Sequence, residues 1–353
     1  VTDTPDWIFL ACGAPSKAHM AAAEARQDVL TKPRGSLGVL ERLVVRLAGL
    51  QGTDMPRVDR AGIVLFAGDH GVTAQGVSAY PSAVTVQMLH NFANGGAAIS
   101  VLAREQGVAL EVVDAGTLAT AGIAGVIVDK PRRATRDFSC CAAMTPDEMR
   151  FALSAGRRAA LRAVDRSTQL LILGEMGIGN TTSASALACA LLARPPAELV
   201  GAGTGLDAHR MAHKATVIAA ALERHGLRAS DVVVLDALAC VGGLEIAALV
   251  GAMLGAAQAR LPVLVDGFIV TVAALVACRL NGSCRDWLIF SHRSAEQGHR
   301  LVLDALAAEP ILDLRLRLGE GSGAAIALPI VRLACALHAG MATFAEARVS
   351  EAD

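Results

Sequence analysis

Seven short apolar runs punctuate the chain at Ile63–Ala67, Ala109–Asp114, Val126–Asp129, Leu170–Gly174, Val232–Asp236, Val263–Asp266 and Leu288–Ser291, and several lead into segments with helical spacing. Alternation of buried strand and amphipathic helix leaves few folds open, because each strand must be covered on both faces: the pattern predicts an α/β protein with a parallel sheet between helical layers. The strands fall between residues 60 and 293. The segments 1–59 and 294–353 carry helical patterns with few strands, so they are expected to join as a smaller, mainly helical domain beside the larger one. Pro195-Pro196 should stop one helix, and Asp207–Arg224 has the length and apolar spacing of another. At 353 residues the chain has enough length to bury a sizeable core, roughly three quarters of its unfolded surface. Aromatics are only 3% against 53% hydrophobic residues, so that core must rest on aliphatic packing and close helix approach.

Charge narrows the function. With 32 basic and 33 acidic residues and a formal net charge of -1, there is no electrostatic footprint for nucleic acid or an anionic membrane. An anionic ligand must be held locally. The eight cysteines (Cys12, Cys140, Cys141, Cys189, Cys240, Cys278, Cys284 and Cys335) form no C-x-x-C pair and have no zinc-finger histidine partner, which predicts reduced thiols and no metal centre. Val1–Leu10 lacks the basic flank and apolar core of a signal peptide, and the most membrane-like stretch, Gly267–Cys278, falls short of the ~20 residues of a span. A cytoplasmic location is expected.

In open parallel sheets, ligands bind beyond the carboxyl ends of the strands, and the polar motifs cluster there. Gly174–Thr182 brings Glu175, Gly177, Gly179, Asn180, Thr181 and Thr182 to a helix start, a natural cradle for phosphate, or else a plain strand-to-helix turn. Asn180 stands where a Walker A loop needs lysine. Gly201–Gly205 lacks dinucleotide spacing, but as a second anion-facing loop it gains from Lys214 in the following helical segment, whose ammonium is either a phosphate contact or part of a solvated helix face. Asp266 and Ser291 close later strands. Asp69-His70 reads as a structural hydrogen-bonding pair in preference to a metal pair or an acid/base pair, since adjacent side chains seldom meet at one centre and no third ligand stands at a suitable spacing. Tyr80, Gln87 and Asn91 offer ring and amide groups suited to a flat heterocycle, and Lys32–Gly38 reads as a capped turn. Gly319-Glu320-Gly321-Ser322-Gly323 sets one carboxylate among three glycines ahead of an apolar helix. Such an acid suits a general base, and it equally suits a helix entry where the charge complements the macrodipole.

Taken in order, KPRGSLG (Lys32–Gly38), GDHGV (Gly68–Val72), GVSAYP (Gly76–Pro81), NGGAAI (Asn94–Ile99), GEMGIGNTT (Gly174–Thr182), GAGTGLD (Gly201–Asp207), DGF (Asp266–Phe268), SHRSAEQGH (Ser291–His299) and LGEGSGAA (Leu318–Ala325) closely resemble the nicotinate-nucleotide-dimethylbenzimidazole phosphoribosyltransferase family. The resemblance implies a homodimer with a Rossmann-like large domain, and lower-ligand activation in cobalamin assembly. Phosphoribosyl would pass from nicotinate mononucleotide to 5,6-dimethylbenzimidazole, with inversion and without cofactor or metal. It implies Glu320 as the base, Glu175, Gly177, Gly203, Lys214 and Ser291 near the phosphate and ribose, and Gln87 on the benzimidazole side; family members vary between serine and tyrosine where Tyr80 stands. The chemistry agrees with one carboxylate: a pyridinium leaves without a general acid, while the incoming benzimidazole must shed its N–H proton. Transfer to another base such as adenine or a phenol, and a noncatalytic nucleotide-binding protein, are the competing readings. An NAD-dependent oxidoreductase is disfavoured by the missing fingerprint.

Overall fold

The computed structural model describes residues 5–201, 203, 205–228 and 231–350. Strands β1 (Ala61–Gly68), β2 (Ala109–Gly116), β3 (Val126–Val128), β4 (Leu170–Met176), β5 (Val263–Val265) and β6 (Leu288–Phe290) form one sheet in the order β3-β2-β1-β4-β5-β6. Every pairing is parallel. This is the doubly wound order: the chain walks outward from β1 to β3, then returns to β4 on the other side of β1. A crevice must open where the two directions part, beyond the ends of β1 and β4, and the register that pairs Phe66 with Glu175 brings Gly68 and Met176 to that place together.

Helices α1 (Lys17–Val29) and α2 (Val39–Gln51) precede the sheet. Between β1 and β2 lie α3 (Ala83–Ala93) and α4 (Ala98–Glu105), and between β3 and β4 lies α5 (Pro146–Asp165), started by a Thr145–Glu148 capping box. The passage from β4 to β5 holds α6 (Asn180–Leu192), α7 (Pro196–Leu199), α8 (Ala208–Arg224), α9 (Val234–Val241) and α10 (Leu244–Gln258); α11 (Phe268–Leu280) follows β5, and α12 (His299–Ala305), α13 (Ser322–Gly340) and α14 (Phe344–Ala347) follow β6. Asp207 caps α8 by accepting from the Arg210 N–H at 2.8 Å, as the expected 207–224 helix requires. Pro196 begins α7, after α6 has ended at Leu192.

Six of the seven expected strands form. The seventh, Val232–Asp236, does not: it runs into α9, whose Ala237, Leu238, Ala239 and Val241 are buried against α6 and α11. Its three valines give a strand-like signal, but the following Ala-Leu-Ala-Cys-Val continues the apolar run at helical spacing, and tertiary packing decides the outcome.

Among the described residues α13 is the helix long and apolar enough to cross a membrane, whereas Gly267–Cys278 falls within the shorter α11. Here α13 packs on α2, α4 and β4, burying Ala324, Leu328 and Val331. The terminal helices are stitched together: Arg26 Nε donates to the His338 carbonyl at 2.7 Å, and Gln27 Nε2 lies 2.8 Å from His338 Nδ1.

Candidate active site

A cleft of about 530 Å³ lies beyond the carboxyl ends of the strands. Apolar side chains, among them Met176, Ile178, Phe268, Ile269, Leu316 and Leu318, give it walls for flat rings, while Glu175, Asn180, Thr181 and His292 supply polar groups. A larger cavity of about 700 Å³ between α1, α2 and Arg285–Ala307 contains none of the glycine-rich loops. The chemistry therefore belongs to the smaller one.

Glu320 sits on a backbone turn that explains its glycines. Gly319, Glu320 and Gly321 have φ of 87°, 64° and 82°, three successive left-handed residues, a conformation that costs a non-glycine residue energy and persists only where surroundings impose it. The surroundings do so from two sides. The Glu320 N–H donates to the Glu175 carbonyl at 3.2 Å, and a Cβ at Gly174 would strike the Glu320 carbonyl, so β4 presses directly on the turn. From β5, Asp266 accepts from the N–H groups of Gly321 (Oδ2, 3.2 Å) and Ala324 (Oδ1, 2.9 Å), acting as an N-cap of α13 borrowed from another element. Glu320 is 5% exposed, and its Oε2 accepts from the Ile99 N–H at the start of α4, 3.3 Å away.

Burial is the first cause of a raised Glu320 pKa, opposed by the Ile99 bond and reinforced by the negative charge of Asp266. Glu175 is pushed up much further: it is buried beside Asp266, Glu245 and Glu320, with the Asn180 amide alone favouring its charged form. Burial likewise raises Asp266 and lowers His292, each moderated by the other's charge across 3.7 Å. Negative charges gathered in one dry site disfavour one another's ionisation, and burial adds to that effect.

The loop expected to cradle a phosphate offers fewer free amides than the sequence suggests. Ile178 N–H donates to Thr85 Oγ1 (3.1 Å), Asn180 N–H to the Gly177 carbonyl (3.1 Å) and Thr182 N–H to the Gly179 carbonyl (2.9 Å), so three of the loop's amides are spent internally. Behind this loop lies Lys214, which reaches from α8 to Thr181 Oγ1 at 2.7 Å. Its ammonium is enclosed, which brings its pKa down to about 8 against the opposing pull of Glu296. Gly203 closes the space beside this pair: a Cβ there would lie 3.1 Å from Thr181 Oγ1 and 3.8 Å from Lys214 Nζ. Its neighbours Ala202 and Thr204 in the Gly201–Gly205 loop lie outside the described residues.

Glu175, Gly177, Asn180, Thr181, Gly203 and Tyr80 line the cleft, with Tyr80 half-exposed at its rim. Asp266, Ser291, Thr182 and Lys214 are buried behind it, Ser291 with its Oγ 3.1 Å from His292 Nδ1. Gly179 starts α6 in a left-handed conformation. Gln87 is exposed on α3 and is not among the residues lining the cleft. His292, at a strand end beside Ser291, lines the cleft as the clustering of strand-end motifs implies, whereas sequence reasoning missed Glu296, Arg315 and Arg317 as lining residues, and it missed Glu245. For Glu245 a signal exists, since it is the one charged residue in the fifteen of α10. No group of three or more histidines, cysteines or acids with metal-binding geometry occurs among the described residues.

Residues 12–349 match the family model described as phosphoribosyltransferase. The chain belongs to this family. Like its members it is an enzyme, a pentosyl-transferring one. A protein named nicotinate-nucleotide–dimethylbenzimidazole phosphoribosyltransferase from Bradyrhizobium sp. (strain BTAi1) is 67% identical over 349 residues, covering 99% of each chain. One of the same name from Pseudomonas putida (strain KT2440) is 58% identical over 349 residues, again 99% of each. The crystal structure of the enzyme so named from Thermus thermophilus superposes with a TM-score of 0.90 at 44% identity, covering 96% of this chain and 100% of that one. The family's α/β fold is the six-stranded parallel sheet described above.

Proposed function

We propose that this phosphoribosyltransferase moves the phosphoribosyl group of nicotinate mononucleotide onto 5,6-dimethylbenzimidazole, giving α-ribazole 5'-phosphate and nicotinate, a step of cobalamin lower-ligand activation. One juxtaposition supports the reading: the left-handed turn that carries Glu320 reaches the apolar-walled cleft through Gly319, and the hydrogen bond from Lys214 reaches the same cleft through Thr181. The phosphate is a handle held by Lys214, Thr181 and the start of α6. Nicotinate leaves as a neutral ring from a pyridinium, so no acid is required there. The benzimidazole nitrogen attacks the anomeric carbon from the opposite face, inverting β to α, and Glu320 takes the proton from the ring's other nitrogen. Its raised pKa suits that task near neutral pH. Base assistance supplies roughly 10²–10⁴-fold, and positioning of the two rings the remainder.

The helical segments 1–59 and 294–353 form, in this reading, a smaller domain that carries the glutamate turn to the sheet, and the enzyme works as a cytoplasmic homodimer. The test is a turnover assay with nicotinate mononucleotide and dimethylbenzimidazole, adenine and a phenol in competition, with the product anomer assigned by NMR. Dimethylbenzimidazole should be preferred and the product should be the α-anomer. A β-linked product, or no transfer to any of the bases, would refute the proposal.

A further inference from the structure

His70 is 1% exposed, does not line the cleft, and is bonded at both ring nitrogens. Nε2 lies 2.7 Å from Glu245 Oε1 and Nδ1 lies 2.9 Å from Ser183 Oγ. The three residues come from three places in the fold, the end of β1 and the first turns of α10 and α6. Glu245 Oε1 and the Ser183 hydroxyl thus hold the ring from opposite edges and fix its orientation. The loop entering α6 is laid on the same ring: a Cβ at Gly179 would lie 3.1 Å from His70 Cβ and 2.8 Å from Thr73 Cγ2. The turn so held contains Asn180, bonded to Glu175, and Thr181, bonded to Lys214.

We infer that the Glu245–His70–Ser183 chain is a positioning device that fixes the first turn of α6 in the orientation that receives the donor's phosphate, a phosphate-monoester dianion. The inference rests on the proposed function for the identity of the donor. It assigns a role to the GDHGV segment that neither base chemistry nor ring binding uses. Glu245 Oε2 has no hydrogen-bond partner among the described residues, so a glutamine there loses no existing bond at that atom while its amide oxygen keeps the place of Oε1 and still accepts from His70. Glu245→Gln is therefore the conservative variant, and Ser183→Ala the disruptive one.

The experiment measures binding of inorganic phosphate and, separately, of dimethylbenzimidazole by calorimetry in the full-length wild type and both variants, with the thermal midpoint recorded. Ser183→Ala should weaken phosphate binding about five- to ten-fold, the worth of one hydrogen bond, and leave dimethylbenzimidazole affinity within two-fold. Glu245→Gln should stay within about two-fold of the wild type for both ligands, since the hydrogen bond to His70 survives. Unchanged phosphate affinity in Ser183→Ala, loss of both affinities together with the thermal midpoint, or a wild type that does not bind phosphate at millimolar concentration would overturn the inference. Wild-type transfer from nicotinate mononucleotide is assayed alongside: its absence would refute the donor assignment, while the phosphate affinities still decide the role of the chain.

Discussion

Replacing Lys214 by methionine should stabilise the fold and weaken the donor, two effects of opposite sign from one substitution. The enclosed ammonium has its pKa reduced from 10.5 to about 8. That fall of about 2.5, at about 1.4 kcal/mol for each tenfold, means the charge costs the native state about 3 kcal/mol at neutral pH. Methionine keeps the stem's volume and removes the charge; it also gives up the 2.7 Å bond to Thr181, worth about 1 kcal/mol. The net gain is about 2 kcal/mol. With an unfolding entropy of about 2.1 cal/mol/K per residue, a chain of 353 residues should melt roughly 3 °C higher. The pH dependence distinguishes this origin from better packing. Below pH 8 both the folded and unfolded lysine are protonated and the wild type bears the full cost; from 8 to 10.5 the folded form has lost a proton the unfolded chain retains, so wild-type stability rises and the advantage of Lys214→Met disappears. Donor binding moves the other way. A charge-assisted contact to phosphate contributes about 1.5–3 kcal/mol, so nicotinate mononucleotide should bind about ten- to a hundred-fold more weakly to the variant at pH 7, whereas dimethylbenzimidazole affinity stays constant. Calorimetry at pH 7 and 10 measures both quantities. A variant that melts lower than the wild type at pH 7, or that binds the donor within two-fold of it, would refute the reasoning.

Glu320→Gln keeps the shape of the turn and removes its basicity, so turnover should fall roughly 10²–10⁴-fold with little change in donor affinity; concurrent loss of donor binding and thermal stability would make Glu320 a scaffold residue. In Asp266→Asn a charge that raises Glu320 is gone, so the acid limb of the pH–rate profile, below which the base is protonated, should move to lower pH; an unmoved limb would contradict Glu320 as the titrating group. Turnover should survive exhaustive chelation, and activity lost to chelator and restored by one divalent ion would require a metal role in this site. Nicotinate riboside should be a far poorer donor than the mononucleotide, and equal kcat/KM for the two would remove the phosphate from the list of recognised features.

The sheet was legible because its strands are short apolar runs, buried on both faces along the centre of the sheet and partly exposed toward edge strand β3 and at strand ends, a signal independent of what lies elsewhere in the chain. Val232–Asp236 imitated that signal, since five residues are too few to separate strand from buried helix. The cleft's glycine loops were also visible, being local. What holds them was not: Asp266 was read as a strand end in the site, but its task of capping α13 depends on a helix that begins 56 positions later, at Ser322. Glu245 and His70 meet across 175 positions, and no spacing rule links them. The sequence also overstated the number of free amides in the Gly174–Thr182 loop, because a glycine-rich loop advertises them without revealing that Thr85 and the loop's own carbonyls consume several. Local chemistry was readable; partners supplied by topology were not.

The seating of α13 against α2, α4 and β4 has a kinetic consequence. A turn strained into three left-handed residues has no reason to form alone, and its restraints come from β4, β5 and α4, all made earlier in the chain than Glu320. The bond from Arg26 to His338 that helps close the helical layer spans 312 positions, and contacts of such separation form late because their loop entropy must be overcome first. A chain whose sheet has already assembled would thus own the loop entering α6 and still lack the Glu320 turn. Refolding followed by activity should lag refolding followed by sheet formation, with catalytic competence arriving only when the last long helix docks.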